Sequence, residues 1–251
     1  MTFNFYKTSL LFTAILSVNV AQAAEIKLAV ASNFVQPAKD IAAEFEKDSG
    51  HTVSMTPGAT GKFYAQIVNG APFDILLAAD DETPARLEKE ARAVTGTRFT
   101  YATGQLVLWS PKADFVDDGG QLLKSGKFTY LAIANPKVAP YGLAAVQTMQ
   151  KMGVLSALEP KVVQGENIAQ TYQFVVTGNA QLGFVALSQV FQNGKLKSGS
   201  GWVVPENLYD KLRQDAILLN AGKGSAAAIA FMAFMKSEKA KKIISSYGYQ
   251  F

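Results

Sequence analysis

Apolar positions along this chain switch repeatedly between a spacing of two and a spacing of three to four, and glycine or proline marks most of the switches. EIKLAVAS alternates and then turns continuously apolar, which predicts a strand over Ile26–Ala31. In the following NFVQPAKDIAAEFEKDSG, Phe34, Ala38, Ile41, Ala42 and Phe45 recur at helical spacing until Gly50 ends the run. HTVSMTPG reads as a strand, and ATGKFYAQIVNGAP as a helix with Phe63, Ile67 and Val68 on one side. FDILLAAD reads as a short buried strand. Helices between short apolar strands predict an α/β fold with a mainly parallel sheet covered on both faces.

The second half repeats the theme. GQLVLWSP and FTYLAIANP read as strands, YGLAAVQTMQKMG as a helix closed by Gly153, and KVVQG as a further strand. NIAQTYQFVVTGN is helical, AQLGFVALSQ and DAILLNAG are strand-like, and Ser225–Tyr247 is a strong helical segment. No short repeat and no low-complexity linker separates the two units. They are expected to form two lobes, residues 24–104 plus 216–251 and residues 105–215, with ATGQLVLWS and DAILLNAG as the crossing strands.

The first residues stand apart from this pattern. Lys7, an apolar stretch over Ser9–Val20 and the small-residue site Ala21-Gln22-Ala23 have the three-part form of a secretory signal peptide, cleaved after Ala23. The apolar stretch is shorter than the ~20 residues of a membrane span. Lys7 is its only charge, so the remaining chain keeps a small positive balance out of the formal +4. That charge is too dispersed for a nucleic-acid surface. The densest basic run, Lys236–Lys242, contains Glu238 and reads as a solvated helix face. With no cysteine and the single histidine His51 in a polar turn, thiol catalysis and multi-histidine metal sites are excluded.

Candidate chemistry lies where helices begin. Ser32 and Asn33 precede the first helix, Thr60 the second, Pro140-Tyr141-Gly142 the third, and Asn167 the fourth. A helix start offers unpaired N–H groups and the positive end of a dipole, so it receives an anion without a formal cation. Taken singly, each of these residues reads as an ordinary cap. In an open α/β sheet, however, the strand C-termini face the ligand crevice, so four such turns can share one cleft. GATGKF at 58–63 is not a nucleotide loop, because Phe63 stands where a P-loop has Ser or Thr. Asp74, Asp80, Asp81 and Glu166 are carboxylates of possible acid–base use, although Asp80 and Asp81 read as caps of the following helix. Trp109 and Trp202 read as packing residues.

AVASNF, GATGKFYAQI, GAPFDILLAAD, YATGQLVLWSPK, LAIANPKVAPYGLAA, QLGFVALSQ and the closing SYGY together resemble the periplasmic molybdate-binding proteins of ABC-type importers, across essentially all of residues 25–251. The resemblance implies the type II periplasmic binding fold: two α/β lobes, two crossing strands and an oxyanion closed between them. It implies that Ser32 meets the anion through hydroxyl and N–H, with Asn33 beside it and Thr60 at the second helix start. It further implies an N–H from Ile168 and the hydroxyl of Tyr141. Some members carry a ligand-contacting tyrosine where this chain has Ala186, and Tyr141 is expected to supply that phenol instead.

The implied protein is a non-enzymatic, periplasmic, monomeric receptor for molybdate and tungstate, without a cofactor. Its partner is an inner-membrane permease with a cytoplasmic ATPase. A receptor for another tetrahedral oxyanion, such as sulfate, phosphate or phosphonate, is the alternative within the class. An exported hydrolase using the carboxylates is the alternative outside it, disfavoured because no G-x-S-x-G nucleophile motif is present.

Overall fold

The computed structural model describes residue 1 and residues 23–251. The expected leader falls almost wholly on residues 2–22, outside the described residues. Strands β1 (Glu25–Ala31), β2 (Thr52–Gly58) and β3 (Ile75–Leu77) alternate with helices α1 (Val35–Ser49), α2 (Thr60–Val68) and α3 (Glu82–Lys89). β4 (Phe99–Gly104) closes this unit, and β5 (Leu106–Ser110) opens the second after a single intervening residue. The second unit continues through α4 (Gln121–Ser125), β6 (Leu131–Ala134), α5 (Pro140–Lys151), α6 (Leu155–Leu158), β7 (Val162–Gly165) and α7 (Ile168–Val176). It ends with β8 (Leu182–Ala186), α8 (Leu187–Val190), the small hairpin β9 (Phe191–Gln192) and β10 (Lys195–Leu196), and β11 (Ser200–Val203). β12 (Leu212–Leu218), α9 (Ala226–Phe234) and α10 (Glu238–Ser246) complete the chain.

Two five-stranded sheets result, ordered β2-β1-β3-β12-β4 and β11-β5-β8-β6-β7. The chain therefore passes to the second sheet between Gly104 and Leu106 and is back in the first by Leu212. Neither sheet is mainly parallel. β1 runs parallel to β2 and β3, but β12 is antiparallel to both of its neighbours. In the second sheet β6 is parallel to β7 and β8, whereas β5 is antiparallel to β8 and β11. The antiparallel pairs arise because β12 and β5 enter their sheets directly from the other unit rather than over a crossover helix, which is what forces parallel pairing.

Each sheet is packed on both faces. On one face of the first, Phe34, Ile41 and Phe45 meet Phe231 and Ile244; on the other, Phe63 and Ile67 of α2 meet Leu76 and Leu87. Burying such a side chain stabilises the fold by roughly 1.5–3 kcal/mol each, which is why the helical spacing in α1 is legible. Gly50 ends α1 at a φ of 72°, and its N–H returns to Glu46 O at 2.8 Å. The segment 225–247 is two helices rather than one: Ser237 caps α10 by accepting from the Ala240 N–H at 3.2 Å. Trp109 and Trp202 are buried, as their lack of aromatic neighbours in sequence suggests. Lys239, within the basic run, pairs with Glu44 and Asp48 of α1 at the surface.

Register brings the functional ends into line. Ala31 pairs with Gly58, Val30 with Leu77, and Ala134 with Gly165. The C-terminal ends of these strands thus lie level within each sheet. An apolar seam joins the units, in which Ala31, Ala59 and Ala79 pack into the cluster that holds Ala139, Tyr141 and Ile168.

Candidate functional site

The turns that leave these strand ends converge on one small cavity. It is lined from the first unit by Ser32, Asn33, Thr60 and Ala79 with their neighbours, and from the second by Pro140, Tyr141, Asn167 and Ile168. All five residues singled out in the sequence, Ser32, Asn33, Thr60, Tyr141 and Ile168, are present in this lining, and all are buried. Its volume is about 10 Å3, far below the ~300–1,000 Å3 of pockets that take drug-sized molecules. No side chain in the lining is charged. A larger cleft of about 290 Å3 adjoins it at Ala79, Ala139 and Pro140, and there the charged groups Asp80, Asp81, Lys137 and Lys211 gather.

Capping does not account for the hydroxyl residues. Ser32 and Asn33 lie in a 3₁₀ turn ahead of α1, and Thr60 is the first helical residue of α2; none of these side chains caps its helix. Asn167 does cap, its Oδ1 accepting the N–H groups of Ala169 and Gln170 at 3.0 Å each. The Thr171 N–H goes to Asn167 O at 3.1 Å. Of the first-turn donors of α7, Ile168 N–H is the one these bonds do not use. The same accounting holds twice more. At α2, Gly61 N–H donates to Val138 O across the units, and Lys62 and Phe63 donate to Ala59 O, leaving the N–H of Thr60. At α5, Pro140 has no N–H, and Gly142 and Leu143 donate to Ala139 O, leaving the N–H of Tyr141.

Side-chain protons follow a comparable pattern. Thr60 Oγ1 accepts the Ala79 N–H at 3.0 Å, so its own proton is free to donate. The Tyr141 hydroxyl accepts from Gln214 Nε2 at 3.0 Å and adjoins the Tyr249 hydroxyl. Burial holds the Tyr141 phenol well above its usual range against the opposing Gln214 contact, so it is a neutral donor. Ser32 Oγ donates to Gly58 O at 2.8 Å. The Asn33 amide is engaged away from the cavity, Nδ2 donating to Gln214 Oε1 at 2.8 Å and to the Tyr249 hydroxyl at 2.9 Å.

The carboxylates have other occupations. Asp80 caps α3, accepting the Thr83 N–H at 2.9 Å, whereas Asp81 does not cap and instead pairs with Arg213. Asp74 accepts the Lys27 N–H at 2.7 Å. Glu166 pairs with Lys62 across the two units beside the cavity, so Lys62 is an inter-unit contact rather than a free solvent-facing charge. Among the described residues, no cluster of three or more His, Cys, Asp or Glu side chains is placed to hold a metal ion. Sequence reading missed Gln214, Gly104 and Tyr249; the polar pair Gln214-Asp215 leading directly into the apolar run AILL was the available signal for the first.

Two α/β units joined by two passages of the chain, closing over a small uncharged cavity of hydrogen-bond donors, define a two-lobed ligand-capturing receptor. Residues 26–250 match the family described as bacterial extracellular solute-binding protein, and the chain belongs to that family. Membership makes it a binding protein rather than an enzyme. It is 58% identical over 229 residues to the molybdate-binding protein ModA of Azotobacter vinelandii, covering 91% of each chain. It is 51% identical to the molybdate-binding protein ModA of Rhodobacter capsulatus, over 91% of this chain and 89% of that one. The solved structure of the Azotobacter vinelandii periplasmic molybdate-binding protein superposes with a TM-score of 0.87 at 39% identity, covering 90% of this chain and 99% of that one. The periplasmic-binding fold implied by the sequence is therefore the fold observed.

Proposed function

We propose that this chain captures molybdate, and tungstate of nearly the same size, between its two lobes and delivers it to an ABC-type permease with a cytoplasmic ATPase. The carrying observation is the uncharged, buried cavity at which three helix starts each leave one N–H and the Thr60 hydroxyl keeps its proton. A dianion accepts every hydrogen bond offered and donates none, and charge-assisted bonds are about twice as strong as neutral ones. Several of them offset its dehydration without a counter-ion. Two relatives that share half or more of this sequence are named as molybdate-binding, which supports molybdate over other tetrahedral anions.

In this reading Thr60 and Tyr141 donate through hydroxyl and N–H, and Ile168 through its N–H. Asn33 contributes its backbone N–H, because its amide protons are engaged elsewhere. Ser32 contributes its N–H, and its hydroxyl by rotating its proton from Gly58 O. Tyr141 supplies the phenol that Ala186, buried at the end of β8, lacks. The two lobes close as hinged bodies over the anion, and the protein works as a monomer in the periplasm after removal of residues 1–23.

The test is a thermal-shift and calorimetric panel of molybdate, tungstate, sulfate, phosphate and chromate. Ligand at a hundredfold excess over Kd stabilises the fold by about 2.7 kcal/mol. Shifts with molybdate and tungstate alone are expected. No response to either, or a stronger one to sulfate or phosphate, overturns the reading.

A further inference from the structure

We infer that Gln214 is a positioning residue of the oxyanion site, whose buried amide turns the Tyr141 hydroxyl so that its proton faces the anion. The inference rests on the oxyanion reading above and goes beyond it, since Gln214 is not part of the cavity lining.

Gln214 has no exposed surface and lies in β12, the strand by which the chain returns to the first sheet. Its amide joins the two lobes. Oε1 accepts from Asn33 Nδ2 at 2.8 Å and lies 3.1 Å from the Tyr101 hydroxyl, both in the first lobe. Nε2 donates to Tyr141 of the second lobe at 3.0 Å. The register between β12 and β4 shifts here: Gln214 is opposite Ala102, and Asp215 is opposite Thr100. Tyr101 is the extra residue of this bulge, and the shift aims Gln214 and Tyr101 at the same point. Asp215 anchors the bulge through Arg98 and Thr100, each at 2.6 Å.

The chain of donors has a direction. Both amide protons of Asn33 are committed, one to Gln214 Oε1 and one to Tyr249. Gln214 Oε1 is thereby an acceptor, which leaves Nε2 to face Tyr141. A phenol that accepts from an amide N–H retains its single proton for another partner. Besides Gln214, the Tyr249 hydroxyl adjoins that oxygen, but it is already engaged by Asn33 Nδ2, Asn33 O and Ser188 Oγ, which leaves the cavity as the open direction for the Tyr141 proton. A dianion can only accept, so its arrival favours this polarity over the reverse one, in which Tyr141 would donate inward to the glutamine. The pair also sits against bare backbone: a Cβ at Gly104 would lie 2.1 Å from the Tyr141 oxygen and 2.4 Å from Gln214 Nε2.

The decisive experiment is a double-mutant cycle read by calorimetric titration with molybdate. Gln214→Glu keeps the shape but offers Tyr141 an acceptor, drawing its proton inward. It is expected to weaken binding by about tenfold or more, the worth of one hydrogen bond to a charged group. Tyr141→Phe is expected to weaken the wild type by a similar factor but to add no more than about threefold on top of Q214E, because contacts acting through one another are not additive. Q214M, which neither donates nor accepts, leaves the Tyr141 hydroxyl unpinned and is expected to weaken binding by less than Q214E; if circular dichroism shows Q214E to be unfolded, a folded Q214M that binds as tightly as the wild type overturns the inference. A purely structural role would make the losses at 214 and 141 multiply, and that result overturns the inference. A wild-type protein that binds neither molybdate nor tungstate overturns the oxyanion reading together with this one, whereas normal wild-type binding with multiplying losses overturns this one alone.

Discussion

A methyl group added at Gly104 should weaken oxyanion binding without contacting the anion. The residue ends β4, at the first passage between the lobes, and its φ lies outside the left-handed region, so alanine meets no backbone strain there. The obstacle is packing. The new Cβ would stand 2.1 Å from the Tyr141 oxygen and 2.4 Å from Gln214 Nε2, more than ~1 Å inside normal van der Waals contact. Backbone β4 is held by pairing with β12, so the tyrosine is the part that yields. A displacement of ~1 Å takes a hydrogen bond from good geometry to beyond its useful range. A bond to a charged group is worth about 1.5–3 kcal/mol, so Kd for molybdate should rise about 10- to 150-fold. Overpacking itself costs about 1–3 kcal/mol of stability, and for a chain of this size each kcal/mol lowers Tm by about 2–4 °C. Titration calorimetry of Gly104→Ala with molybdate, beside melting of the ligand-free protein, separates the two effects. An alanine variant that binds within twofold of wild type would refute the reasoning, whatever its Tm.

Three further outcomes are expected. Thr60→Val removes a free hydroxyl proton and leaves the Ala79 N–H, now bonded at 3.0 Å, without its acceptor; titration and melting should show affinity down about tenfold and stability down by about 1–3 kcal/mol. Lys62→Gln breaks the inter-lobe pair with Glu166, whose partners are half exposed, so stopped-flow release should quicken only about two- to fivefold, and the difference should fade at high salt. Burial pushes the Asp80 carboxyl from 3.8 up to about 6, partly opposed by Thr83. Between those values the folded state holds a proton that the unfolded chain has released, so this group destabilises in full above pH ~6 and its penalty lifts as pH falls toward 4. Asp80→Asn should remove that component from a plot of Tm against pH, and an unchanged slope would count against the assignment.

Much of the architecture was legible because it depends on near neighbours. The spacing of Phe34, Ala38, Ile41 and Phe45 reports one helix face, and Gly50 reports its end, whatever the rest of the chain does. The candidate site was legible for a related reason: polar residues just after a strand and at a helix start mark donors. What each polar group bonds to was not legible. Ser32, Asn33 and Thr60 read equally well as caps, and the structure shows that they cap nothing. Asp80 and Asp81 looked alike, yet one caps α3 and the other pairs with Arg213, 132 positions away. The mixed pairing of the sheets escaped because β12 and β5 enter from the opposite unit, a fact of long-range topology that leaves no mark on local periodicity.

Sequence alone determined that strands and helices alternate, that the turns between them carry hydroxyls and free N–H groups, and that no thiol or histidine cluster could act in their place. These follow from covalent spacing and side-chain chemistry. Tertiary structure decided that the turns meet at one cavity, that Lys62 reaches Glu166 across the cleft, and that Gln214 stands beneath Tyr141 on the bare backbone of Gly104. Those partners lie 104 and 73 positions apart in the chain. Only the packing of the two lobes against each other brings such groups within hydrogen-bond distance.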